Sequence, residues 1–87
     1  MKIKKGFIIR KLGAEHMVVA IGQASKEFAG MIKLNETGAF LWNALVNEAT
    51  EEELVALLMG TYEDVTEDVA KADVAEFLET IAFAVES

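Results

Sequence analysis

The sequence of 87 residues contains neither cysteine nor proline, and it has one histidine. Without cysteine there is no disulfide frame, no thiolate nucleophile and no zinc–thiolate site. No run of 18 apolar residues occurs, so we expect no membrane-spanning helix. The start is basic, but Arg10 and Lys11 interrupt the chain before the apolar region of a signal peptide forms. We therefore expect a soluble, cytoplasmic protein.

The residue types that perform catalysis are also scarce. The only serines are Ser25 and Ser87, and the glycines are scattered singly rather than grouped in a phosphate-binding loop. His16 has no neighbour at metal-ligand spacing and falls in a predicted turn, where we expect it to be exposed. The acidic runs 51–53 and 63–64 lack EF-hand spacing and suit helix starts better. The sequence predicts a protein that is not an enzyme and carries no metal or cofactor.

Charge is distributed unevenly along a chain that is 53% hydrophobic and 26% charged. Residues 1–35 hold seven Lys or Arg and two acids, a net +5, whereas residues 36–87 hold thirteen acids and one lysine, a net −12. One interpretation is a solvated, solubilising surface. The other is a basic sheet that meets acidic helices along a groove suited to a polar peptide. The length predicts one domain that covers residues 1–87.

The hydrophobic pattern changes near residue 35. Before this point, apolar segments rich in β-branched residues predict three strands, at 6–12, 16–21 and 30–34. After it, a period of 3.6 residues predicts three helices, near 36–48, 51–60 and 67–85. This order indicates an α+β fold in which a three-stranded antiparallel sheet is followed by three helices. Three strands cannot close into a barrel, so the sheet keeps an open edge, which is a liability or a binding site.

The join between the third strand and the first helix is the most informative segment. Ile32 and Leu34 share one face of the strand, which we expect to face the core, while Met31 and Lys33 face away. Asn35 is a predicted N-cap. Gly38 in the first helical turn predicts a close approach of backbone, and Trp42 is expected to fill the junction of sheet and helix.

The two later helices have clear start signals. Thr50 and Glu53 form a predicted capping box, and Gly60 is expected to end that helix. Thr66 precedes the third helix. The apolar stripe of the third helix is Ala70, Val74, Phe77, Leu78, Ile81 and Val85.

Three segments together resemble the PqqD-like family. Residues 31–42 match its pattern of an apolar strand, then Leu-Asn-x-Thr-Gly and a tryptophan anchor. Residues 50–54 resemble the start of its second helix, and residues 68–78 resemble the centre of its last helix. Residues 6–10 are similar to its first strand. The motifs occur in the family's order and cover nearly the whole chain.

This resemblance implies a winged-helix-like domain that binds the leader segment of a ribosomally made precursor peptide. Such domains present the peptide to a maturation enzyme, commonly a radical S-adenosylmethionine enzyme, in pathways to pyrroloquinoline quinone or to other peptide products. The leader adds as a strand on the third strand beside the third helix. By position, the implied peptide-binding residues are Met31, Ile32, Lys33, Leu34, Asp73, Val74, Phe77, Leu78 and Ile81. The apolar stripe leaves open which helical residues face the groove.

The end of the chain departs from the family pattern. It lacks the glycine that often ends the last helix, so we expect that helix to run to the terminus. Phe83 lies off the apolar stripe and is expected to be exposed, which would allow a homodimer.

Two other functions remain open. A winged-helix DNA-binding domain is disfavoured because acids surround the single Lys71 on the third helix. An orphan structural domain, or a domain-swapped dimer, is the other alternative.

Overall fold

The predicted α+β fold is present in the computed structural model, which describes residues 1–28 and 30–86. Its strands are β1 (Lys2–Ile3), β2 (Phe7–Leu12), β3 (Glu15–Ala20), β4 (Met31–Leu34) and β5 (Val85–Glu86). Its helices are α1 (Ala24–Glu27), α2 (Glu36–Val46), α3 (Glu51–Thr61) and α4 (Glu67–Thr80). β2, β3 and β4 form an antiparallel sheet in that order, so β3 is central and β4 is an edge strand. None of the described helices combines the length and hydropathy needed to cross a membrane.

The hairpin between β2 and β3 is tighter than predicted. Its turn is Gly13 and Ala14, and β3 already begins at Glu15. Gly13 has a φ of 65°, the left-handed conformation that the first position of a type II′ hairpin turn requires. The prediction that His16 is an exposed turn residue is therefore wrong. His16 pairs with Leu34 in the sheet, and its side chain is 17% exposed.

The predicted alternation along β4 is confirmed. Leu34 is buried and Ile32 is half-buried against the core, whereas Met31 and Lys33 are exposed. The register places Ile32 opposite Val18, which is fully buried. One face of the sheet therefore packs against the helices, as the period of two predicts.

The predicted helix starts are also present. The Asn35 side chain accepts a hydrogen bond of 2.7 Å from the Gly38 N–H. Thr50 and Glu53 form the complete capping box, and the Thr66 hydroxyl accepts from the Val69 N–H. These bonds satisfy N–H groups that have no partner within a helix. α3 continues past the expected stop at Gly60. Its last residue is Thr61, and the Tyr62 N–H then donates to the Leu58 carbonyl.

The core lies between the sheet and the three long helices. Trp42 is only 1% exposed and sits in this core, as predicted. The cluster of buried side chains consists of Val18, Leu34, Leu41, Trp42, Leu45, Ala49, Leu54, Leu58, Ala70, Val74, Phe77, Ile81 and Ala84. It draws on β3, β4 and all three long helices, so the sheet and the helices stabilise each other.

The predicted third helix is shorter than expected. α4 ends at Thr80, a 3-10 turn covers Ala82–Ala84, and β5 then pairs with β1. The reason is a long-range contact, since the start of the chain supplies backbone partners for its end. The Lys4 N–H donates to the Ala84 carbonyl at 2.7 Å. The prediction that the helix runs to the terminus is wrong for residues 81–86, and Ser87 lies outside the described residues.

Phe83 is not the exposed residue that the sequence suggested. It is half-buried and its ring stacks on Phe28, with ring centroids 4.5 Å apart. Phe7 meets Phe83 edge to face, at 5.4 Å. The unpredicted helix α1 brings Phe28 to this cluster. The expected self-association through an exposed Phe83 thus loses its structural basis.

Candidate functional site

The open edge of the sheet is the first feature of the site. β4 pairs with β3 on one side and, among the described residues, with no strand on the other. An edge strand presents backbone N–H and C=O groups that can pair with another extended chain. The four residues Met31–Leu34 therefore form a short template for strand addition.

A groove of about 240 Å³ lies beside this edge, between β4, the start of α2 and one face of α4. It is lined by Lys33, Leu34, Asn35, Thr37, Gly38, Leu41, Asp73, Glu76, Phe77 and Thr80. Three of these side chains are buried and apolar: Leu34, Leu41 and Phe77. The groove thus combines an apolar floor with polar walls, next to unpaired backbone groups.

The helical wall follows from the period of α4. Asp73, Glu76, Phe77 and Thr80 are spaced i, i+3, i+4 and i+7, so they share one helix face. Phe77 is 6% exposed and belongs to both the core and the groove, whereas the two carboxylates are exposed. The Thr80 hydroxyl donates to the Glu76 carbonyl at 2.9 Å, so it is already engaged within the helix.

Lys33 lines the groove from β4, but its side chain lies on the solvent-exposed face of that strand, where its charge is compensated within the sheet. The Lys33 Nζ lies 2.7 Å from the Glu15 Oε1 on the neighbouring strand. Both side chains are more than half exposed. The exposure of Lys33 was predicted, but this ion pair was not, because it depends on the register that places Lys33 opposite Met17.

The turn from β4 into α2 closes one end of the groove. A Cβ on Gly38 would lie 3.3 Å from the Leu34 Cβ and 3.3 Å from the Asn35 Oδ1. Glycine therefore permits the close approach of helix and strand that the sequence predicts. The Leu-Asn-x-Thr-Gly motif thereby places Leu34, Asn35 and Gly38 together in the lining of the groove.

His16 lies on the helix-facing side of the sheet, outside the groove lining. Its Nε2 is buried without a hydrogen-bond partner and lies 3.7 Å from the Glu36 Oε1. Among residues 1–28 and 30–86, no three His, Asp or Glu side chains converge as a metal site would require.

The structure divides the sequence-predicted site residues into two groups. Four of them line the groove: Lys33, Leu34, Asp73 and Phe77. The others lie elsewhere, since Val74 and Ile81 are fully buried in the core and Ile32 and Leu78 pack against it from half-buried positions. Met31 is 58% exposed on the other face of β4.

Sequence reasoning missed six residues that line the groove. They are Asn35, Thr37, Gly38, Leu41, Glu76 and Thr80. The helical spacing from Asp73 was a signal for Glu76 and Thr80, because positions i+3 and i+7 share its face. Leu41 gave no such signal, since a leucine in an apolar helical stripe is predicted to be a core residue.

Comparison with known proteins identifies the fold and the family. The structure is similar to that of "TbiB1 in Complex with the TbiA(beta) Leader Peptide", with a TM-score of 0.74 and 22% identity over 95% of this chain and 90% of that chain. It is also similar to "Lasso peptide synthetase B1 complexed with the leader peptide", with a TM-score of 0.72 and 15% identity over 94% of this chain and 89% of that one. No curated protein matches the sequence significantly.

At sequence identities of 22% and 15%, these two structural similarities establish a shared fold. The family assignment comes from the sequence, because the family described as Coenzyme PQQ synthesis protein D (PqqD) matches residues 10–82. This range contains β4, the Leu-Asn-x-Thr-Gly turn and the whole of α4. The chain belongs to the PqqD family.

Proposed function

We propose that the chain acts as one domain that binds the leader segment of a ribosomally made precursor peptide, as a strand added to β4 beside α4. The observation that carries this proposal is the open edge of β4 next to a groove with an apolar floor. Membership of the PqqD family supports it. Further support comes from the two similar structures, both of which are complexes with leader peptides.

The edge and the groove contribute different parts of recognition. Main-chain hydrogen bonds to β4 contribute about 0.5–1.5 kcal/mol each, and they do not depend on the peptide's side chains. Specificity must therefore come from the side chains that the bound strand directs into the groove. An apolar side chain of the leader is expected to contact Leu34 and Phe77, which are each 6% exposed, above the fully buried Leu41.

The predicted site residues then have two roles. Met31–Leu34, including Lys33, supply the backbone template, and Asp73 and Phe77 face the leader from α4. Val74, Leu78 and Ile81 support the helical wall from the core. This division predicts that substitutions in the second group act mainly through stability.

The proposal makes the protein a non-catalytic accessory that presents the leader to a maturation enzyme. A radical S-adenosylmethionine enzyme is the partner that we propose, and no cofactor is assigned to the chain itself. Because the precursor is made on the ribosome, the proposed location is the cytoplasm. Binding to duplex DNA is not proposed, since Asp73 and Glu76 would repel phosphates from this face of α4. A homodimer is not required for binding.

The test is a titration of the isotopically labelled protein with a synthetic peptide that carries a candidate leader sequence. Chemical shifts are expected to change most in residues 31–38 and 73–80. A control peptide of the same composition in scrambled order should leave these residues unchanged. A leader that binds tightly but shifts only residues 7–20 would show that the proposed groove is wrong.

A further inference from the structure

The charges that line the groove are not balanced. Asp73 and Glu76 are exposed on the α4 wall, and neither has an ion-pair partner among residues 1–28 and 30–86. Lys33 is the cationic residue in the lining, but its side chain lies on the outward face of β4 and is already paired with Glu15 at 2.7 Å. The groove therefore presents two uncompensated carboxylates to any bound peptide.

The rest of α4 strengthens this negative field. Its other acids are Glu67, Asp68 and Glu79, and its one cation, Lys71, lies 3.6 Å from Glu67. Charges of one sign along a cleft attract ligands of the opposite sign and repel those of the same sign. A leader residue with a carboxylate at the α4 wall would therefore be disfavoured.

We propose that the groove selects a leader strand with a lysine or arginine directed at Asp73 and Glu76, beside an apolar residue that contacts the floor. This inference rests on the proposed function and adds the chemistry of the ligand to it. The edge strand and the apolar floor define the site, and the two carboxylates define the charge that the ligand must bring.

The spacing of the groups fits one basic side chain. Residues three apart on a helix have Cβ atoms about 5–6 Å apart, so one ammonium or guanidinium group reaches both carboxylates. Residues two apart on a strand lie on the same face, about 6.6–6.8 Å apart. A basic residue and an apolar residue at positions i and i+2 can therefore face the α4 wall and the Phe77 ring together.

The experiment selects peptides from a displayed library of random linear peptides, about ten residues long, enough to form one strand. Three proteins are used as targets: the wild type, the double variant Asp73→Asn/Glu76→Gln, and the double variant Asp64→Asn/Glu79→Gln. The last is the control, because it removes two exposed acids outside the groove lining and changes net charge equally. Circular dichroism checks that each protein is folded.

Wild type and control are expected to enrich peptides with Lys or Arg two positions from an apolar residue, and the groove variant is expected to lose this preference. A selected peptide should bind the groove variant about three- to tenfold more weakly at low salt, as expected for exposed ion pairs. The difference should shrink as ionic strength rises.

Two results overturn the inference and separate it from the proposed function. The charge inference alone is overturned if selected peptides change the chemical shifts of residues 31–38 and 73–80 but show no preference for Lys or Arg. It is also overturned if peptides selected with the groove variant show the same preference as those selected with the wild type. Selected peptides that shift only residues outside the groove count against the proposed function as well.

Discussion

Phe77 belongs to both the core and the groove, so replacing it is expected to lower both the stability of the fold and the affinity for the leader. Phe77→Ala would remove most of a side chain that is 6% exposed, at a cost of about 3–5 kcal/mol. A chain of this length is stable by roughly 4–13 kcal/mol, so this variant risks unfolding. Phe77→Leu keeps an apolar side chain at a cost of about 1–1.5 kcal/mol. We expect its melting temperature to fall by roughly 4–12 °C.

The leader should also bind Phe77→Leu more weakly, because the ring forms part of the groove floor. A loss of about 1 kcal/mol at such a contact raises the dissociation constant about fivefold. The control is Val74→Ala, which truncates a fully buried neighbour outside the groove lining. It should cost about 2 kcal/mol of stability and leave the affinity unchanged.

Thermal denaturation measures the stability of both variants, and calorimetric titration at a temperature where both are folded measures their affinity for the leader. Unchanged affinity in Phe77→Leu together with weaker binding in Val74→Ala would refute this assignment of the two residues.

Two further predictions concern the fold. Trp42 is 1% exposed, so its emission should be blue-shifted in the native protein and should move red on unfolding; native emission already at the wavelength of exposed tryptophan would contradict the packing. Thr50→Ala removes one bond of the capping box and should cost about 0.5–2 kcal/mol in chemical denaturation without changing leader affinity, since Thr50 lies outside the groove lining. Thr61→Ala, at an exposed helix end, is the control and should change stability less.

Local signals predicted most of the fold. The caps at Asn35, Thr50 and Thr66 are contacts within three residues, so the sequence contains both partners side by side. The alternation in β4 and the apolar stripe of α4 likewise follow from periods of two and 3.6 residues. Such features can be predicted without knowledge of the remaining chain.

Two of the errors, the course of residues 81–86 and the missed ion pair of Lys33, came from contacts between distant parts of the chain. β5 forms because β1 lies beside it, and Met1 in turn bonds Ala49 through both its amino group and its carbonyl. No local pattern in residues 81–86 specifies these partners. The ion pair of Lys33 with Glu15 was missed for the same reason, since it depends on the sheet register.

The candidate site was predicted in outline only. An apolar stripe identifies the side of α4 that faces the protein, but it does not separate Phe77, in the floor of the groove, from Val74 and Ile81, within the core. That distinction depends on how far α4 lies from β4, which is a property of the packed structure.

The most direct test of strand addition uses two N-methylated forms of the leader peptide. In an extended strand, successive N–H groups point to opposite sides, so one form is methylated at alternate residues and the other at the residues between them. If the leader pairs with β4, one form loses the N–H groups that bond the edge, and the other loses only groups that face away. Each lost bond contributes about 0.5–1.5 kcal/mol, so two lost bonds weaken binding roughly 5- to 150-fold.

The account predicts that one form binds this much more weakly while the other keeps an affinity close to that of the unmodified leader. Both forms should keep the same side chains available to the groove, so a difference between them reports the backbone alone. Equal affinities for the two forms would contradict strand addition on Met31–Leu34.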